Sequence, residues 1–504
     1  MNPASAALRA DAPRAGGQPH PTGPGHVPAA AWPIAILGVP FDALTIDETV
    51  ARIDAMIAKR RPHFVVTANV DLLVQAHRDA ELRRSLVDAD LVLCDGTPLL
   101  WASRWLGNAL PERVAGSDLV PALIHSAAEK GQRLFFLGSS PGVAAAAEAK
   151  LKQQYPSLEV VGTYAPPFPH LLETDHDEIV RRVREARPDI LLVSFGCPKQ
   201  ENWIALHHRS LGVPVAIGVG ATLDSLAGRI KRAPQWMRRS GMEWLYRLWH
   251  EPGRLYWRYA SDLLHFVPIL AAHWWRFASS AETPARPREN APAAPGWCSV
   301  DAGSRLTRHS LQHEAEFWHN LRHRRSHCVM DLSRVRRVDS TGVAFLIRCR
   351  KELQSAGWQL VLLAPSTPLR RVLAILQLSD YFVIASDLTE ATRCGESLVT
   401  SVTCRDGTTR SLAWCGELVA ANCEDVWQMT TDHIRAFVGA HATLIIVDLN
   451  RLRFTDSSGA ALMLRLKKWT RSLRAELLFA HAQPNVRNVL RLTQLDQFLL
   501  EGSQ

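Results

Sequence analysis

Residues 331–353, DLSRVRRVDSTGVAFLIRCRKEL, match residues 448–470, DLNRLRFTDSSGAALMLRLKKWT, at one constant offset and without a gap. The match resumes between RRVLAILQLSDYF (370–382) and RNVLRLTQLDQFL (487–499) at the same offset. The C-terminal part of the chain must therefore hold two copies of one small module. Two copies are too few for a solenoid, which leaves tandem domains. In each copy an apolar run (CVMDL, LIIVDL) precedes Asp-Ser-Thr/Ser-Gly, and an apolar helical pattern follows. A second strand (WQLVLLA, AELLFAH) and a second helix complete the unit.

The chain ahead of the repeat has a different rhythm. HFVVTA (63–68), DLVLC (90–94), RLFFLG (133–138), LEVVGTY (158–164), DILLVSFG (189–196) and VPVAIGVG (213–220) read as short strands. Amphipathic helical patterns separate most of them. This alternation predicts a Rossmann-like, largely parallel sheet with helices on both faces. The fold class expected is α/β throughout, with one large domain over 34–278 and two small α/β modules over 298–395 and 400–504. SSAETPARPRENAPAAPG, at 279–296, reads as linker from its Pro, Ala and charge content, and the linker is expected to span 279–297. Residues 1–33, rich in Ala, Pro, Gly and His, read as a disordered tail without the apolar centre of a signal peptide. LLHFVPILAAHWW (263–275) is too short to span a bilayer. Nine cysteines without a CxxC pair fit neither a disulfide framework nor a zinc site, and suit a reducing cytoplasm. The net charge of +9 suits an anionic partner such as a phosphate or a lipid surface.

Polar motifs fall just after the predicted strands. Thr67 and Asn69 follow HFVV, and Asp95 follows LVLC. Gly138 and Ser139 open a glycine loop, GSSPG, that leads into the helix VAAAAEAKL. Gly196 to Glu201, with Gln200, follow ILLVSF; Gly218, Gly220 and Asp224 follow VPVAI. Asp before Gly is ordinary turn chemistry, and a carboxylate at a strand's carboxyl end is also placed to act on a ligand. The glycine loop puts backbone N–H groups at a helix N-terminus, a natural phosphate seat, and it is neither a Walker A motif nor GxGxxG. Five such motifs on one sheet edge predict a ligand cleft. Downstream, GRIKRAPQWMRRSGMEWLYRLWHEPGRLYWRY (228–259) interleaves arginines with Trp and Tyr. That mixture suits phosphates or a membrane interface. No nucleic-acid motif accompanies it, so no nucleic-acid partner is expected.

The blocks GVPFDALT, TANVDLL, ADLVLCDGTPLLWASRWLG, LPERVAGSDL, FLGSSPGVA, LLVSFGCPKQENWIA, IGVGATLDSLAGRIKRAPQWM and EWLYRLWHEP are collinear over residues 34–260. Together they resemble the WecG/TagA/CpsF glycosyltransferases. The resemblance implies an inverting enzyme that moves a sugar from a UDP-sugar to an undecaprenyl-diphosphate-linked saccharide. It implies action at the cytoplasmic, inner face of the bacterial plasma membrane, in surface polysaccharide assembly. By the same resemblance Asp95 is the general base, and Thr67 and Asn69 hold sugar and diphosphate. Arg113 is a candidate diphosphate contact, and Arg247, Arg254 and Arg258 are candidates for arginines that close the site at the membrane. Gly138, Ser139, Gln200 and Asp224 complete the expected substrate contacts. Cys94 stands where the family more often has Pro. No DxD motif is seen, so neither a metal nor another cofactor is expected.

The repeat resembles the STAS domain of anti-sigma-factor antagonists, more clearly over 400–504, where GEL follows SLAWC, than over 298–395, where no GEL is evident. In those antagonists the first Ser after Asp is phosphorylated, which points to Ser340 and Ser457. The other reading of these residues is that Asp339 and Asp456 simply cap helices. The modules are expected to bind protein partners and to recruit or regulate the transferase. The rival reading of the whole chain is a scaffold that binds a nucleotide sugar without turnover and signals through its STAS modules.

Overall fold

In the computed structural model the β/α alternation of the first half becomes a six-stranded parallel sheet. The structure describes residues 32–166, 176–230, 233–234, 236–237, 243–250, 252–275, 287–322, 326–393, 399–406, 409–420, 422–493 and 495–500. The first domain opens with a hairpin, β1 (Ile34–Ile36) and β2 (Val39–Phe41), then α1 (Ile46–Ala58), β3 (His63–Ala68), α2 (Val70–Arg78) and α3 (Ala80–Asp88). β4 (Leu91–Cys94), α4 (Thr97–Trp105), α5 (Gly116–Lys130), β5 (Arg133–Gly138), α6 (Val143–Gln154) and β6 (Glu159–Tyr164) follow. The domain continues through α7 (His176–Ala186), β7 (Ile190–Ser194), α8 (Lys199–Leu211), β8 (Val215–Gly218) and α9 (Thr222–Leu226). Two helices close it, α10 (Glu243–His250) and α11 (Pro252–Trp275).

The strand order is β4-β3-β8-β7-β5-β6, and every pairing is parallel. Alternate residues of one strand enter different cores: Phe64 and Val66 pack on one face of the sheet and Val65 on the other. Burial on both faces explains why these strands are apolar runs rather than alternating patterns. In this order the step from β7 to β8 runs toward one edge of the sheet and the step from β5 to β6 toward the other, so the direction changes between β7 and β5. In open α/β sheets such a point, at the carboxyl ends of the strands, is where ligands bind.

The first module contains β9 (Arg288–Ala294), β10 (Trp297–Asp301), β11 (Arg305–Leu306), α12 (Arg308–His313), α13 (Ala315–Arg322), β12 (His327–Asp331) and β13 (Arg337–Val338). α14 (Ser340–Ser355), β14 (Leu360–Leu363), α15 (Thr367–Ile375), β15 (Val383–Ala385) and α16 (Leu388–Arg393) complete it. The second contains β16 (Val399–Asp406), β17 (Thr409–Leu418), α17 (Cys423–Gly439), β18 (Leu444–Thr455), α18 (Ser457–Ser472), β19 (Glu476–Ala480), α19 (Pro484–Leu492) and α20 (Asp496–Leu500). The sheets read β15-β14-β12-β10-β9 and β16-β17-β18-β19, each an antiparallel edge pair followed by parallel strands.

Two sequence expectations need correction. Residues 288–294 lie within the expected linker, yet they form β9, paired antiparallel to β10. An edge strand tolerates Pro292, because one side of its backbone needs no ladder partner. The expected disordered tail runs too far by two residues: the Trp32 ring meets Phe345 edge-on at 5.5 Å between centroids, and Pro33 is buried at the start of β1. Residues 1–31 lie outside the described residues.

Candidate active site

Several of the predicted contacts gather where the neighbouring strands β3, β4 and β8 end. Thr67 lies opposite Leu93 and Ala68 opposite Cys94, so Thr67, Asn69 and Asp95 leave neighbouring strands at the same level. Asp95 is half-buried. Its backbone N–H donates to Ala68 O at 2.9 Å, while the Val114 N–H donates to Cys94 O at 2.8 Å. Thr67 Oγ1 donates to Gly218 O, on the strand at its other side, at 3.4 Å. A β carbon on Gly116 would stand 3.3 Å from Thr67 Oγ1, so glycine lets the first turn of α5 come close. Asn69 Oδ1 caps α2 by accepting the Leu72 N–H at 2.9 Å. Burial, reinforced by the Asp95 carboxylate, pushes the Cys94 thiol up to about 12, so it stays neutral beside the site.

The helices around this edge start in an unusual way. α1, α2 and α3 have side-chain caps from Thr45, Asn69 and Asp79. α4, α5, α6 and α8 begin behind Gly96, Ala115, Gly142 and Pro198, none of which supplies a cap hydrogen bond. The positive ends of these four helices therefore lie at the carboxyl side of the sheet without a hydrogen bond from the side chain of the N-cap residue. That arrangement favours a negatively charged ligand.

The remaining predicted contacts sit at the ends of β5, β7 and β8. Gly138 is needed for close approach: a β carbon there would lie 2.5 Å from Ser194 O, and its φ is +95°. Ser139 and Asp224 are brought together, Ser139 Oγ donating to Asp224 Oδ2 at 3.1 Å. Gln200 is buried, with its Oε1 accepting the Gly220 N–H at 3.1 Å and its Nε2 donating to Glu201 Oε1 at 2.8 Å. Glu201 belongs to the same motif, at 196–201, and nothing in that motif singles it out for a role. A Gln-Glu pair in a first helical turn carries no signal of its burial.

Arg113 is engaged twice, with Asp118 Oδ2 at 2.6 Å and Glu243 Oε2 at 3.2 Å. Glu243 opens α10, so Arg113 ties the segment before α5 to the C-terminal helices. The side chains of Arg247, Arg254 and Arg258, which belong to α10 and α11, lie outside the described residues. On those helices Trp249, Trp257 and Leu264 are 83%, 75% and 74% exposed, a concentration of apolar surface that water disfavours. Among the described residues no helix is long and apolar enough to cross a membrane.

Both modules lean on the first domain, through contacts that no local sequence pattern announces. The Asn108 amide, from the loop after α4, donates to Ser340 Oγ at 3.1 Å in a buried contact. Ser457 Oγ donates to Glu81 Oε1 of α3 at 2.7 Å, and the Ser457 N–H donates to the same oxygen at 3.2 Å. Asp339 and Asp456 do cap their helices, accepting from Gly342 N–H at 2.9 Å and Gly459 N–H at 3.0 Å. Glu417, from the GEL of the second module, takes Arg84 of α3 and Arg350 of the first module, each at 2.7 Å. The Tyr381 ring lies under both guanidiniums, 4.6 and 3.9 Å from their central carbons.

Comparison with known proteins agrees with this architecture. The profile of the glycosyl transferase WecG/TagA/CpsF family matches residues 34–280, and that of the STAS domain matches residues 299–391 and 412–502. An N-acetylglucosaminyldiphosphoundecaprenol N-acetyl-beta-D-mannosaminyltransferase of Bacillus spizizenii is 31% identical over 210 residues, covering 42% of this chain and 79% of that protein. An enzyme of the same name from Staphylococcus aureus is 32% identical over 227 residues, covering 44% of this chain and 87% of that protein. The solved structure of the unphosphorylated anti-sigma factor antagonist SpoIIAA aligns with 21% of this chain and 89% of its own, at 22% identity and a TM-score of 0.18. The chain belongs to the WecG/TagA/CpsF family of glycosyl transferases and carries two STAS domains behind the transferase domain.

Proposed function

We propose that the chain transfers a hexose, N-acetylhexosamine or its uronic acid from a UDP-sugar to an undecaprenyl-diphosphate-linked saccharide, with inversion. The observation that carries this reading is the placement of Asp95 beside Thr67 and Asn69, at the carboxyl edge of the sheet where α4, α5, α6 and α8 also begin. Asp95 takes the proton of the acceptor hydroxyl as that oxygen attacks the anomeric carbon. The bond from that carbon to the diphosphate breaks, and UDP leaves with the electron pair. The helix N-termini stabilise the growing charge, and Arg113 joins them when the diphosphate draws it from Asp118 and Glu243. A single displacement of this kind inverts the anomeric centre. The relatives' name supports a lipid-linked acceptor. The exposed aromatics of α10 and α11 support contact with the inner face of the plasma membrane, where such an acceptor resides.

The STAS modules, in this proposal, regulate the transferase through docking. Ser340 and Ser457 both face the transferase domain, and a phosphoryl group at Ser457 would bring a charge of about −1.5 to −2 against Glu81.

The test is UDP release from a panel of UDP-sugars with a short-chain polyprenyl-diphosphate-sugar acceptor. Wild type is expected to release UDP only with acceptor. Asp95→Asn is expected to lose roughly 10²–10⁴-fold in kcat while still binding UDP. Turnover unchanged in Asp95→Asn removes the assigned base. UDP binding without turnover on any donor favours the scaffold reading instead.

A further inference from the structure

We propose that Glu201 is a positioning residue of the transferase: it holds the Gln200 amide, which holds the Gly220 N–H, and so sets the loop between β8 and α9 at the carboxyl edge of the sheet. The inference rests on the transferase reading for its consequence and on geometry for its substance.

Glu201 lies in the first turn of α8 and is 2% exposed. Gln200 Nε2 donates to its Oε1 at 2.8 Å, and Gln200 Oε1 accepts from Gly220 N at 3.1 Å. From β7, Ser194 Oγ donates to Gly220 O at 2.6 Å. Both backbone polar groups of Gly220 are thus held by side chains. The loop they hold leads into α9, where Asp224 meets Ser139. A glutamine amide can turn over and exchange its oxygen and nitrogen. Glu201 settles the choice, because its Oε1 accepts a hydrogen bond and so selects the nitrogen. Space for the pair comes from Gly218, where a β carbon would stand 2.9 Å from Gln200 Nε2 and 3.2 Å from Glu201 Oε1.

The second carboxyl oxygen, Oε2, is buried and has no hydrogen-bond partner among the described residues. A charge in such a place is costly. Burial first, with a smaller push from the Asp71 carboxylate of α2, raises the group to about 7, against the pull of hydrogen bonds from Gln200 and from its own backbone amide. A neutral Glu201 keeps an acceptor oxygen for Gln200. As pH rises from about 4.5 through 7 the closed site loses stability, because Glu201 ionises more readily when the site opens to water than when it is buried.

Full-length wild type, Glu201→Ala and Glu201→Gln would be compared by hydrogen exchange at the Gly220 amide and by UDP release with UDP-N-acetylmannosamine and a lipid-linked acceptor. Glu201→Ala is expected to speed Gly220 exchange by roughly tenfold or more and to lower kcat/KM by about 10–100-fold. Glu201→Gln, which keeps an acceptor oxygen and cannot ionise, is expected to match wild type at pH 6. Between pH 6 and 8 it should lack the wild-type loosening of Gly220. An unmoved Gly220 amide in Glu201→Ala overturns the proposal, as does a Glu201→Gln variant that loses as much as Glu201→Ala at pH 6. Where Glu201→Ala fails to fold, the pH profiles of wild type and Glu201→Gln decide, and parallel profiles overturn the proposal. Absence of UDP release by wild type counts against the transferase reading alone, and the exchange data still decide the positioning.

Discussion

Gly342 and Gly459 occupy the same place in the two repeats, and both are there for closeness. A β carbon on Gly342 would run into the Leu306 carbonyl oxygen, and one on Gly459 into Thr455 Oγ1, with Leu418 Cγ at 2.8 Å. Gly342 lets the first turn of α14 sit against the end of β11, and Gly459 lets that of α18 sit against the ends of β18 and β17. Gly342→Ala and Gly459→Ala are each expected to cost about 1–3 kcal/mol through overpacking, read as a lower urea midpoint. An unchanged midpoint would mean that the neighbouring strand yields freely. The Asp that precedes each pair of hydroxyl residues was legible as a cap, because capping is local chemistry that a sequence displays directly. Glu201 was not legible. Its burial depends on Gly218, on a strand that arrives later in the chain, and no local pattern encodes that meeting.

At the scale of elements, most strands of the large sheet were readable because parallel strands buried on both faces must be apolar runs, while the less buried edge strand β6 was readable from its β-branched residues. β9 was not, since Pro and Ala in an edge strand look like linker. The offset between the repeats carries information here as well. β18 is one strand of twelve residues, Leu444–Thr455, whereas its counterpart is divided into β12 and β13. The contact of α18 with α3 leads to a prediction. Its first residue, Ser457, gives two hydrogen bonds to Glu81, a carboxyl that burial lifts above its usual range while Ser457 pulls it down. Ser457→Asp places like charges together, at a cost of about 4 kcal/mol for an effective dielectric near 20. The second module is then expected to leave α3, seen as a larger radius of gyration in solution scattering. Glu81→Gln added to Ser457→Asp should restore the compact form. A scattering profile that does not change with Ser457→Asp would rule out control at this contact.

For the whole molecule the decisive feature is the junction at Glu417. Its burial alone would raise the carboxyl, but Arg350, Arg84 and Arg453 outweigh that and hold it at about 2. Because the folded value lies below the ordinary 4.5, the stability this group supplies is present above about pH 4.5 and is lost as pH falls toward 2. Glu417→Gln is expected to destabilise the chain at pH 7 by about 3–5 kcal/mol, since it leaves buried guanidiniums without their counter-charge. It should also flatten the acid limb of the stability profile, and an acid limb identical to wild type would refute the assignment. None of this could be read from the sequence, because Arg84 and Glu417 are 333 residues apart. Their meeting has a consequence for how such a chain changes over time. A substitution on the transferase surface at Arg84 survives only beside a matching change in the second module, so the two regions must drift together. Exchange of one module for a foreign copy fails unless Arg84 and Arg350 find a carboxylate waiting in the newcomer.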